Sequence, residues 1–142
     1  MNRREKRAYG FSVPISPEEK YRSLFDHAGE GIYQSSVSGR ILNINPALAR
    51  LFGYRSPEEM KRNIKNAYRQ IYADRKQREK VMRVVEARGH AQYEFRFLRK
   101  DKSQGWGFTS MHAVRNAQGK TAYYEGFFVD ITERKRMEEK LR

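Results

Sequence analysis

The chain has 142 residues, with 30 Lys and Arg against 17 Asp and Glu, and a formal net charge of +13. That length makes one domain, able to bury roughly two-thirds of its surface without metal or disulfide support. It has no cysteine, which excludes disulfides, zinc–thiolate and iron–sulfur sites, thiol catalysis and any flavin–cysteine adduct.

Residues 1–15 read as a flexible basic arm. Ser16-Pro17-Glu18-Glu19 reads as a helix start: Ser16 can cap, Pro17 suits the first turn and Glu19 can reach back to close a capping box. Tyr21, Leu24, Phe25 and Ala28 follow at helical spacing, and Gly29 is the expected stop. Residues 31–37 and 40–45 form two strands joined by a turn at Ser38-Gly39. Asn45 and Pro46 start a short helix whose inner face carries Leu48, Leu51 and Phe52 and which ends at Gly53. Ser56-Pro57-Glu58-Glu59 repeats the earlier cap, with Met60 and Ile64 facing in. Residues 66–73 are a buried turn or a short helix with Tyr68, Ile71 and Tyr72. Asp74 caps a helix over residues 75–88 with Val81, Val84 and Val85 as its stripe, and Gly89 ends it.

Three strands are expected next. Residues 92–100 alternate Tyr93, Phe95 and Phe97 against Glu94 and Arg96. Residues 106–115 and 121–131 are the other two, with turns at 101–103 and around Gly119. Thr132 caps a charged helix over 133–142 that has no stop signal, so the native chain is expected to continue into another domain. Segregated blocks of strands and helices make the fold class α+β. The expected architecture is a five-stranded antiparallel sheet, with the helices between strands two and three covering one face and helices at both ends.

These segments, in this order, resemble a PAS domain with its C-terminal PAC segment over residues 16–142. The resemblance is carried by Asp26-His27-Ala28-Gly29-Glu30-Gly31-Ile32-Tyr33, by residues 39–47 (GRILNINPA), by Leu51-Phe52-Gly53-Tyr54, by Arg99-Lys100-Asp101-Lys102-Ser103, by Trp106 and by residues 126–135 (GFFVDITERK). Lys102 departs from the family, which usually has Gly there; the turn either avoids positive φ or is mildly strained. The resemblance implies a sensory or dimerising module of a bacterial signalling protein. Residues 16–132 would be the domain and 133–142 the start of a signalling helix. The output would be a histidine kinase of a two-component system, or a diguanylate cyclase (GGDEF) or phosphodiesterase. Asp130-Ile131-Thr132 matches the segment that joins the last strand to the output helix in the family.

Catalysis needs a constellation of groups, and none is visible, so this fragment is read as non-enzymatic. His27, His90 and His112 lie on separate elements without ligand spacing, and no metal site is expected. Haem-binding PAS domains use a histidine on the long helix before the third strand. Residues 75–88 contain none, so haem is disfavoured, with His90 the only nearby histidine. Cysteine-linked flavin or chromophore is excluded, and no cofactor is expected. An unidentified small ligand would be lined by Leu48, Phe52, Ile64, Tyr68, Ile71, Val81, Val85, Phe95 and Phe97, although a filled core explains the same residues. Tyr33, Tyr68 and Asn43 could orient that ligand, or simply satisfy backbone groups.

The expected partners are a second copy, paired through Tyr21, Leu24 and Phe25 and through the C-terminal helix, and an effector in the same parent chain. A ligand-free dimerisation module is the alternative. Residues 61–90 hold ten basic residues and three acids. They read as a solvated helix face or as a patch for a polyanion, with no specific nucleic acid expected. No apolar run is long enough to span a bilayer, and the expected location is the cytoplasm.

Overall fold

The computed structural model describes residues 16–142; the arm at residues 1–15 lies outside the described residues. The elements in chain order are α1 (Pro17–His27), β1 (Gly31–Ser36), β2 (Ile41–Ile44), α2 (Pro46–Leu51), α3 (Pro57–Asn63), α4 (Ala67–Gln70), α5 (Arg75–Arg88), β3 (His90–Leu98), β4 (Gln104–Arg115), β5 (Thr121–Asp130) and α6 (Thr132–Lys140). All five strands form one antiparallel sheet in the order β2-β1-β5-β4-β3. β5 is therefore the central strand, and the last strand of the chain touches both halves of the sheet. The fold is α+β.

The short helices begin where their caps place them. Ser16 Oγ accepts from Glu19 N at 3.1 Å, Ser56 Oγ from Glu59 N at 3.1 Å, and Asp74 Oδ1 from Lys76 N at 3.0 Å, each satisfying an otherwise orphaned helix N–H. Asn45 does more than cap. Its Oδ1 accepts from Leu48 N and Ile32 N, and its Nδ2 donates to Phe25 O and Glu30 O, all at 2.9–3.1 Å. One fully buried side chain thus ties α1, β1 and α2 together. α1 ends differently from expectation: Ala28 turns extended at φ −62° and ψ 138°, so a left-handed Gly29 is not what stops it.

The sheet's inner face and the helices enclose the core. Phe52, Phe97 and Phe128 pack as a triangle with ring centroids 4.9–5.0 Å apart. Gly107 makes room for it, since a Cβ there would sit 2.3 Å from the Phe128 ring. Full burial of each ring contributes about 1.5–3 kcal/mol. A second cluster holds Val81, Val85, Ala91, Met111 and Tyr124. Val84, expected in the inward stripe of α5, is 39% exposed; Val81 and Val85, one turn apart, are enough to face β3 and β4. The C-terminal end of the free edge of β3 is covered by residues 71–73, where Leu98 N bonds Ile71 O and Ala73 N bonds Arg96 O, which shields that end from further pairing.

Two junctions depart from the sequence reading. Lys102 has φ 72°, the one non-glycine with positive φ among the described residues, so the strained form of that turn is the one adopted. Thr132 is not the cap of α6. It is the helix's first residue, Ile131 occupies the cap position, and no side chain makes the usual cap bond from there.

Candidate functional site

Between the inner face of the sheet and α2–α4 lies a cavity of about 70 Å³. β1 and β2 supply Tyr33, Gln34, Ser35, Ile41 and Ile44. The helices supply Leu48, Phe52, Met60, Ala67 and Tyr68, and the connection after them Ile71 and Tyr72. The sheet floor supplies Phe95, Thr109, Met111 and Phe128.

Of the residues singled out in the sequence, Tyr33, Leu48, Phe52, Tyr68, Ile71 and Phe95 line this cavity. Ile64 and Phe97 are buried beside it in the core cluster. Val81 and Val85 sit in the second cluster and do not line it. Asn43 belongs to the opposite face of β2, where it shares a surface depression with Pro17, Tyr21 and Phe25. It cannot orient a molecule in the cavity. A register shift opposite Gln34 and Ser35 turns Ile41 and Ile44 inward together and leaves Asn43 outside. Thr109 and Met111 went unread, although Gly105, Gly107, Thr109 and Met111 are an inward period-two series along β4.

The polar groups around the cavity form short chains. The Thr109 hydroxyl donates to Phe127 O at 2.8 Å, so its one proton is spent and Tyr33, at 2.7 Å, donates to it. Burial pushes the Tyr33 phenol pKa well above its ordinary value. Tyr72 and Tyr93 bond hydroxyl to hydroxyl. Burial pushes Tyr72 up to about 12, and burial together with the neighbouring Tyr72 pushes Tyr93 higher still. All three stay protonated and act as hydrogen-bonding groups rather than bases. Tyr68 donates to Val37 O at 3.0 Å and so fastens α4 to the β1–β2 turn.

The second half of the site is where β5 becomes α6. Asp130 Oδ1 accepts from Thr132 N at 2.9 Å and from the Thr132 hydroxyl at 2.5 Å. Arg99 lies 3.6 Å from Asp130 Oδ2. The Thr132 oxygen in turn accepts from Trp106 N at 3.0 Å, and Ile131 N bonds Trp106 O at 2.8 Å. Thr132 thus faces β4 instead of the helix N–H groups, and Asp130 supplies the carboxylate at the helix start. β5 is central in the sheet, so this junction is at a strand end and not at a sheet edge. Further along, Glu94 on β3 pairs with both Arg134 and Lys135, and the Lys135 ammonium lies 5.0 Å from the Trp106 ring centroid. Through these contacts α6 is held against β3 and β4.

Other singled-out residues fall elsewhere. Tyr21 and Leu24 are 58% and 67% exposed, whereas Phe25 is buried; it stacks with Tyr21 at 6.0 Å and bounds the core instead of offering a contact face. His90 and His112, distant in sequence, lie opposite each other on β3 and β4 with rings 5.8 Å apart. His27 bonds Ser23 O on its own helix. Among the described residues no group of three metal-ligating side chains comes together, and no helix is long and apolar enough to cross a membrane. None of the basic side chains between Lys61 and Arg88 makes an ion pair among the described residues.

Comparison with known proteins agrees with this geometry. A family model described as PAS domain matches residues 29–133. No curated protein matches the chain. Among solved structures, a PAS domain from Colwellia psychrerythraea superposes with a TM-score of 0.72 at 23% identity, over 83% of this chain and 99% of that one. An RNA-binding light-oxygen-voltage receptor gives 0.70 at 24% identity, covering 91% of this chain and 39% of that longer one. A sensory box histidine kinase/response regulator from Burkholderia thailandensis E264 gives 0.66 at 20% identity, over 87% and 92%.

Proposed function

The chain belongs to the PAS domain family, and from that premise we propose that it is a sensory and regulatory module of bacterial signal transduction, non-catalytic itself. It senses a small molecule in the cavity and passes its state through α6 to an output domain of the same parent protein. A histidine kinase is the favoured output, with a cyclic-dinucleotide enzyme as the other. One observation carries the reading: Phe128 lines the cavity, and two residues later on the same strand Asp130 holds the first turn of α6. A ligand that binds two states of β5 with different affinity shifts the helix between them. In the full-length parent, Asp130→Ala with Thr132→Ala should uncouple output from signal while the domain still folds; an unaltered response refutes the reading.

A second reading is a dimerisation module that works without ligand. It is supported by exposed Tyr21, which shares a surface depression with Ile32 and Phe127 on the outer sheet face, and by exposed Leu24. Sedimentation of the protein beside a Tyr21→Glu, Leu24→Glu variant tests it: a dimer that becomes a monomer supports the reading, and identical behaviour rejects it.

A further inference from the structure

Residues 61–88 carry ten basic residues and three acids, +7 of the chain's +13. Nine of the ten are exposed; Arg78 turns inward, its guanidinium carbon 3.3 Å from the centroid of the Tyr68 ring. None of the nine makes an ion pair among the described residues, whereas Arg99, Lys100, Arg115, Arg134, Lys135 and Arg136 all pair with carboxylates. Two of the three acids are engaged elsewhere. Asp74 caps α5, and Glu86 accepts from Tyr124 and pairs with Arg115, which leaves Glu79 among the cations. On α5, Lys76, Lys80 and Arg83 follow at i, i+4 and i+7. They form one row, about 10 Å long, on the side opposite Val81 and Val85, which are buried. Like charges at that spacing repel one another and weaken a helix, and a bound anion removes that repulsion.

We propose that the exposed face of α5 docks double-stranded DNA, with the Lys76, Lys80 and Arg83 row on the phosphates that border the major groove, and does so without reading sequence. This goes beyond the sensory reading and does not depend on the cavity. Charge complementarity points to a polyanion, and the make-up of the face selects among polyanions. A single strand is held by stacking on aromatic side chains, and none is exposed between Lys61 and Arg88. A membrane-surface helix lays an apolar face into the lipid. The apolar face of α5 is spent on β3 and β4, and Val84 is the one large apolar side chain exposed in the stretch. Protein interfaces centre on apolar and aromatic residues and are depleted in Lys. A duplex asks only for cations along its backbone. The major groove of B-form DNA, about 12 Å wide, admits an α-helix, whereas that of duplex RNA is too deep and narrow.

The test is fluorescence anisotropy of labelled two-turn duplexes of mixed-sequence DNA and of RNA, with the whole protein, over about 50–200 mM sodium chloride. Vesicles of phosphatidylserine and phosphatidylcholine, followed by co-sedimentation, are the membrane arm. DNA should bind more tightly than RNA. Log affinity should fall against log salt with a slope of about −3 or steeper, since each phosphate contact contributes about −0.9. Lys76→Gln with Lys80→Gln and Arg83→Gln should make the slope shallower by about 2–3 and weaken binding at the lower salt by about tenfold or more. Lys20→Gln with Arg22→Gln and Lys120→Gln removes the same charge from exposed sites on α1 and the β4–β5 turn, and should leave the slope within about one of the parent's. Absence of DNA binding at the lower salt overturns the proposal. Equal losses in the two triple variants also overturn it, because net charge alone would then explain the binding. RNA binding as tight as DNA binding overturns the major-groove assignment, and vesicle binding without DNA binding gives the face to a membrane instead. The wild-type slope and the DNA–RNA comparison decide even where a variant does not fold.

Discussion

The carboxylate of Asp130 takes two hydrogen bonds from Thr132, from its N–H at 2.9 Å and its hydroxyl at 2.5 Å. The pair closes the turn from the central strand into α6 and leaves the Thr132 oxygen free to accept from Trp106 N. Asp130→Ala removes the acceptor of a helix-initiating N–H and should cost about 0.5–2 kcal/mol. Its mark is faster amide exchange in residues 133–140 with the β-strand amides unchanged. Asp130→Asn, which keeps an acceptor but not the charge facing Arg99, should fall between. Uniform acceleration across the whole sheet would show that Asp130 serves the fold at large.

Asn45 makes four hydrogen bonds from a fully buried position. Asn45→Ala strands two N–H groups and two carbonyls at once, and we expect a loss of about 3–5 kcal/mol, since each unsatisfied buried group costs about 1–3 kcal/mol before relaxation. Chemical denaturation measures it. Stability within about 1 kcal/mol of the parent would mean that water replaces the side chain.

Phe95 and Phe97 are 3% and 0% exposed and share the inward face of β3. Each replacement by Ala should cost about 3–5 kcal/mol, a large part of a small domain's total. Melting curves of the two variants should therefore fall together, far below the parent; two curves within a degree of the parent would contradict the packing described.

The grip of α6 on the sheet depends on pH through Glu94. The hydrogen bond from Lys135, then that from Arg134, holds its carboxyl below the ordinary value of 4.5. A depressed folded pKa gives stabilisation that is present above the unfolded value and is lost as pH falls through the folded one. The protection of the α6 amides, relative to their intrinsic exchange at each pH, should thus fall on acidification below about pH 4.5, and Glu94→Gln should remove that acid step. An NMR titration of Glu94 with its midpoint above 4.5 would contradict the ion pairs.

Much of this was written locally in the chain. Ser16, Asn45, Ser56 and Asp74 announce their helices because a cap is a contact within three residues. The alternation of Tyr93, Phe95 and Phe97 likewise announces one face of one strand. What was illegible depended on partners far away in sequence. Thr132 looks like a cap until Trp106, 26 residues earlier on β4, donates to its oxygen. Asn43 looks inward until the β1–β2 register shift turns it out. Arg78 is one cation in a run of ten, and only the placement of α5 beside Tyr68 sets it apart from its solvated neighbours.

The central claim is that the filling of the cavity reaches α6 through β5. A cavity-filling substitution, Ala67→Leu, mimics occupancy without any ligand. Hydrogen exchange across residues 133–140 should be compared in the parent, in Ala67→Leu, in Asp130→Ala and in Ala67→Leu with Asp130→Ala, each verified as folded by circular dichroism. The account predicts that Ala67→Leu changes α6 exchange relative to the parent, and that the change disappears against an Asp130→Ala background. Identical α6 exchange in the parent and in folded Ala67→Leu would contradict it.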